Sequence, residues 1–154
     1  MVVYLYCTKG NDKPCIVKIQ KGIERDISGT VFATFKVGKV EKITDDNLSK
    51  FTKQSCLTEE ELINYLGRVN SKGVYTLKGY AIHVKDLKPL PYRAKIEDLG
   101  YIKRPPQNMQ CIGEEEIMIS LKPKYCKLIM EGKKTIEIRR TVLKELEDIA
   151  VWIF

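Results

Sequence analysis

The chain has 154 residues, 44% of them hydrophobic, and carries 27 Lys and Arg against 20 Asp and Glu, a formal net charge of +7. That length predicts one domain able to bury a core without metals or disulfides, and the positive balance makes a polyanion, nucleic acid first, the partner to consider. Five scattered cysteines with no C-x-x-C pair, a single histidine, no apolar run near the ~20 residues of a membrane span and no basic-then-apolar leader argue against a disulfide framework, a zinc or histidine-rich metal site, a membrane partner and a secreted protein; the expectation is cytoplasmic, with no metal and no cofactor.

Val2 to Cys7 (VVYLYC) is β-branched and aromatic and predicts a buried strand, followed by a turn over Thr8 to Asp12. A second strand is expected over Cys15 to Gln20, then a polar loop through Gly22 and Gly29. Thr30 to Ile43 alternates, with Val31, Ala33, Phe35 and Val37 on one side and Gly38 as a point of bending. Thr58 to Leu66 predicts a helix with a capping box formed by Thr58 and Glu61, an apolar face of Leu62, Ile63 and Leu66, and Gly67 at its end. Val74 to Leu87 returns to strand alternation, with His83 as a strand residue, and Pro89 and Pro91 are expected to stop it.

Ile96 to Leu99 predicts a helical turn closed by Gly100, and Pro105-Pro106 an extended lead into Met109 to Ile112. Gly113 to Glu116 reads as a solvated linker and Ile117 to Ser120 as a strand. Pro123 suits the first position of a helix running to Glu131, with Tyr125, Leu128 and Ile129 on its apolar face and Gly132 as its C-terminal cap. Thr135 to Arg140 predicts a strand, Val142 to Asp148 a loop or short helix, and Ile149 to Phe154 (IAVWIF) a last strand. Strands dominate without a βαβ rhythm, so the fold class is α+β, a curved or barrel-like sheet with two or more flanking helices.

The chemistry concentrates between Lys122 and Arg140. A period of two puts Ile136 and Ile138 on one face of the strand and Thr135, Glu137 and Arg139 on the other. Lys134 stands where the helix turns into this strand, and Lys122 stands at the helix start, where free backbone N–H groups favour an anion. This set fits recognition of a phosphate by Arg139 and of a polar group or base by Glu137; the plainer alternative is a Glu137–Arg139 pair on an exposed face. Lys9, in the turn after VVYLYC, is a candidate phosphate contact or a solvated turn lysine. Tyr4, Tyr6, Tyr80 and Trp152 fall in strand patterns and read as sheet or core residues, and Cys126 as a small residue packed on the core side.

Gly132 to Arg139 fits G-x-K-x-x-E-x-R, and in this it resembles the signature of the ASCH domain family, relatives of the PUA domains of RNA-modifying enzymes. Ile119 to Tyr125 resembles that family's opening strand and helix, Tyr4 to Gly10 its second strand and turn, Gln54 to Thr58 the start of its middle helix, and Pro105 to Ile112 its closing strand. The resemblance implies a PUA-like β-barrel with a cleft and an RNA-binding role near translation or its regulation, with RNA or a nucleotide-like ligand as partner. Lys134, Glu137 and Arg139 would then line the cleft, with Lys122 nearby.

Two departures qualify the match. The family's order is reversed: residues 1–112 resemble the back portion of a barrel, 113–116 a linker and 117–154 the front portion with the signature, together one domain. A circular permutant satisfies this order, and so does a piece of a tandem pair completed within the chain or by strand swapping in a homodimer. Second, some small members are amidohydrolases acting on acetylated cytidine through a threonine three residues after the motif lysine. Here that position is Glu137, so the nucleophile is missing and no catalytic residue is assigned. The remaining alternatives are a hydrolase on another modified nucleoside or RNA, and a protein-interaction domain.

Overall fold

The structure, a computed structural model, describes residues 1–10, 13–99 and 104–152. Its strands are β1 (Val2–Cys7), β2 (Ile16–Gln20), β3 (Ile23–Asp26), β4 (Val31–Ile43), β5 (Gly67–Val69), β6 (Tyr75–Leu77), β7 (Gly79–Ala94), β8 (Met109–Gly113), β9 (Glu116–Leu121), β10 (Ile136–Arg139) and β11 (Ala150–Trp152). The helices are α1 (Thr52–Ser55), α2 (Glu59–Leu66), α3 (Pro123–Met130) and α4 (Lys144–Ile149), with 3₁₀ turns at Leu48–Phe51 and Ile96–Leu99. The fold is therefore α+β. The main sheet has the order β10-β7-β4-β1-β9-β8, with β11 also on β4, and β2-β3 and β5-β6 form separate pairs. Two compact units divide the chain, Met1–Val37 with Lys85–Lys133 and Gly38–Val84 with Lys134–Phe154, so β4 and β7 each contribute to both.

In the first unit β1 pairs antiparallel with β4 (Val3 opposite Phe35, Leu5 opposite Ala33) and parallel with β9 (Val3 beside Ile117, Leu5 beside Ile119). A strand with neighbours on both edges and cover on both faces needs apolar residues in succession, which is what VVYLYC and IMIS supply. Tyr6, Val31, Ala94, Ile96, Ile112 and Met118 form one buried cluster here, with Tyr4, Leu90 and Leu99 packed against it. β8 and β9 are a hairpin. Its turn, Glu114-Glu115 with Glu115 at φ +55°, occupies the segment read above as a linker. α3 starts on Pro123 and ends in a Schellman motif. Gly132, at φ +75°, donates to the Ile129 carbonyl at 3.0 Å and Lys133 to the Leu128 carbonyl at 3.0 Å.

Two expectations are corrected in this unit. The polar loop after Gln20 contains β3, which pairs with β2 (Val17 opposite Arg25). Its IERD sequence carries little apolar signal because the strand stays at the surface. Pro89 and Pro91 do not end β7, which runs on to Ala94. Two residues apart, they lose N–H donors on one edge only, which a strand tolerates. The Leu90 and Tyr92 carbonyls instead accept from the Arg25 guanidinium at 2.7 and 3.3 Å.

The second unit is built around Ile43, Leu48, Phe51, Leu62, Leu66, Leu77, Ala81, Ile136 and Ile138, a single buried cluster. Burying each of the Leu, Ile and Phe side chains among them contributes about 1.5–3 kcal/mol. α2 presents Leu62 and Leu66 to it, whereas Ile63, expected on the same face, is exposed. The capping box is complete: Glu61 N–H donates to the Thr58 hydroxyl and Thr58 N–H to the Glu61 carboxylate, both at 3.1 Å. Gly67 ends α2 in an extended conformation. What requires glycine is space, since a Cβ there would lie 2.7 Å from the backbone carbonyl oxygen of Ile63. The segment expected as a loop or short helix contains α4, and the last strand begins at Ala150, pairing parallel with Val40 to Lys42 of β4. Gly100, Asn11, Asp12 and residues 153–154 of the IAVWIF strand lie outside the described residues. Among the described residues, no helix is long and apolar enough to cross a membrane.

Candidate functional site

β10 belongs to the second unit and pairs antiparallel with β7, Ile136 opposite His83 and Arg139 opposite Tyr80. Its entry is pinned from both sides: Thr135 N–H donates to the Gln54 carbonyl at 2.8 Å, and the Thr135 carbonyl accepts from Val84 N–H at 2.9 Å. Ile136 and Ile138 face the apolar cluster, as their spacing predicts. The opposite face is not the exposed one of the plainer reading, because Glu137 is 6% exposed and Lys134 only 2%. A pattern of two shows which residues share a face; it does not show that α1 approaches the strand entrance and covers Lys134.

The three signature charges form one chain of contacts. The Lys134 ammonium donates to the Ser55 carbonyl at 2.9 Å and lies 3.3 Å from Glu137 Oε1. Glu137 Oε1 also accepts from the Ile138 N–H at 3.2 Å. Glu137 Oε2 accepts from Arg139 Nε at 3.1 Å and Nη2 at 2.8 Å. Ser55 ends α1, so Lys134 puts a cation on the carbonyl end of that short helix while holding Glu137. Lys134 positions the carboxylate, the carboxylate orients the guanidinium, and Arg139 is the least buried of the three side chains at 11%. A carboxylate with both oxygens engaged by donors is poorly placed to take a proton from a substrate. Arg140, next along, stacks its guanidinium over the Tyr65 ring, 5.1 Å from the centroid.

The other two predicted contacts belong to the first unit. Lys122 is exposed and is the N-cap of α3; its carbonyl accepts from Tyr125 and Cys126 N–H groups, and its side chain makes no capping bond. Lys9 is exposed at the mouth of a pocket. Lys134, Glu137 and Arg139 are thus brought together, each in direct contact with the next, while Lys122 and Lys9 belong to the first unit.

A second charged group went unpredicted. Glu41 on β4 is 1% exposed, with Lys39 at 2.8 Å, His83 Nε2 at 3.2 Å and Lys50 at 3.7 Å, contacts within ion-pair range though not aligned as hydrogen bonds. Burial alone would raise the Glu41 carboxyl, but Lys39, His83 and Lys50 outweigh it and hold the group below its ordinary value. Burial pushes His83 below the usual histidine range, against the pull of Glu41. Glu41 falls in the same alternation as Val31, Ala33, Phe35 and Val37, but exposed Lys39 interrupts that series and masks the signal. A carboxylate at such a position demands a cation.

The structure also gathers three of the scattered cysteines in the first unit. Cys7, Cys15 and Cys126 are buried and interact with one another through Cys7. Burial, reinforced by Cys7, pushes the Cys15 thiol up to about 12, so it stays protonated and unreactive. Among the described residues, no cluster of His, Cys, Asp and Glu is arranged to hold a metal ion. Comparison with family models, with curated proteins and with solved structures returned no match to this chain.

Proposed function

We propose that this chain is an RNA-binding module of the ASCH, PUA-like kind, which takes its ligand at the Arg139 end of β10. The observation that carries this reading is the Lys134–Glu137–Arg139 chain of contacts. Burying charge costs several kcal/mol per ion before pairing, and apolar side chains of similar volume stabilise a fold as well or better. Two ions buried to orient a third are therefore better understood as positioning Arg139 than as holding the fold. The three charges sum to +1, the sign an RNA phosphate requires, and Arg140 over Tyr65 adds a guanidinium beside it. The permuted form of the family's barrel accounts for the strand order: the opening-strand segment β9 lies beside β1, and β11 lies on β4, within the same chain.

The test is fluorescence anisotropy with short single-stranded RNA at low salt. Wild-type protein binds, and Arg139→Ala weakens binding about tenfold, the loss of one charge-assisted contact. No binding at low salt would refute the reading.

A further inference from the structure

A pocket of about 310 Å³ opens in the first unit and uses none of Lys134, Glu137 and Arg139. Lys9, from the turn after β1, and Arg93 and Lys95, from the end of β7, bring three cations to its walls; Glu97 brings one carboxylate and Tyr6 a buried aromatic ring. Among the described residues none of these three cations is in an ion pair.

Two of the cations are aimed by the turn that precedes β4. Gly29 stands at φ +70°, and a Cβ there would lie 2.8 Å from Lys9 Cε and 3.1 Å from its Cγ, so the lysine stem lies flat across the glycine. Arg93 Nη2 donates to the Ser28 carbonyl at 3.4 Å. The turn is itself fixed: Ser28 N–H donates to Asp26 Oδ1 at 3.0 Å, Gly29 N–H to the Cys7 carbonyl at 2.8 Å, and the Thr30 hydroxyl to the Ile27 carbonyl at 2.6 Å. With these donors engaged, an anion in the pocket would be held by the side-chain cations.

Charge and size narrow the ligand. Three cations against one carboxylate leave two positive charges, which match a phosphate monoester at roughly −1.5 to −2 near neutral pH better than a singly charged diester. The volume stands at the small end of ligand pockets, enough for a phosphoryl group and an attached sugar. We propose that this pocket binds a terminal phosphate monoester, carried by a mononucleotide or by the 5′ end of an RNA strand, with Lys9, Arg93 and Lys95 as its cationic contacts.

The test compares adenosine 5′-monophosphate with adenosine by calorimetry, and 5′-phosphorylated with 5′-hydroxyl single-stranded RNA by anisotropy. The proteins are wild type, Lys95→Gln, Lys9→Gln/Arg93→Gln and Arg139→Ala. In wild type the phosphorylated probe binds about tenfold more tightly. That preference shrinks in Lys95→Gln, disappears in the double variant and persists in Arg139→Ala, which separates this pocket from the β10 site. A preference seen with the mononucleotide alone identifies a small ligand, and one seen with RNA alone identifies a strand end; either supports the pocket. No preference for the phosphorylated probe in wild type, or an undiminished one in the double variant, overturns it.

Discussion

In the second unit Lys134, Glu137 and Glu41 are each more than nine-tenths buried and in contact with opposite charge, whereas in the first unit Lys9, Arg93 and Lys95 stand exposed around a pocket, without an ion pair among the described residues. The physics of the two arrangements differs. A buried ion is tolerated only while its partners stay, so removing one partner leaves an uncompensated charge in a poor solvent. An exposed cation is hydrated and costs the fold almost nothing. Charge in the second unit should therefore register first in stability, and charge around the first unit's pocket only in ligand affinity.

The largest effect should follow from Glu137→Ala, which strips Lys134 and Arg139 of their shared carboxylate. Urea denaturation should show a loss of about 3–5 kcal/mol; a loss under 1 kcal/mol would mean that the contacts do not form as described. Lys134→Met keeps the straight apolar stem and should cost less, about 2 kcal/mol, because the Ser55 carbonyl loses its donor while Glu137 keeps Arg139.

His83 and Glu41 give a pH signature with a definite sign. Both are held below their ordinary values of 6.5 and 4.5, so the unfolded chain binds more protons than the folded one as the solution is acidified. Stability should fall as pH drops below about 6.5 and fall further below about 4.5. His83→Gln should flatten the upper part of that decline and leave the lower part, as followed by thermal melts across the range. An unchanged slope above pH 5 would remove His83 from the account. The smallest effect belongs to the first unit: Arg93→Gln should change unfolding free energy by less than about 0.5 kcal/mol. A larger loss would make Arg93 a structural residue and erase the contrast.

Legibility from sequence followed the range of the interactions. The capping box of α2, the Pro123 start and Gly132 stop of α3, and the apolar runs of β1 and β9 are set by neighbouring residues, and they were readable. Lys134, Glu137 and Arg139 are one such local set, so their association was readable too. Their burial was not, because it depends on α1 and on Ser55, far away in the chain. Glu41 with His83 and Lys50, the Cys7–Cys15–Cys126 group, and the pocket of Lys9, Arg93 and Lys95 are each assembled from separate segments. β3 was hidden by its surface position, and the length of β7 by two prolines whose missing N–H groups fall on one edge only.

The central claim is that Arg139 meets RNA phosphate. It is tested most directly by the dependence of RNA affinity on salt, measured for wild type and Arg139→Gln. Each phosphate contact on a single strand contributes about 0.7 to the slope of log affinity against log salt. The account predicts a slope shallower by about that amount in the variant, measured well below its melting temperature. Identical slopes and affinities would contradict it.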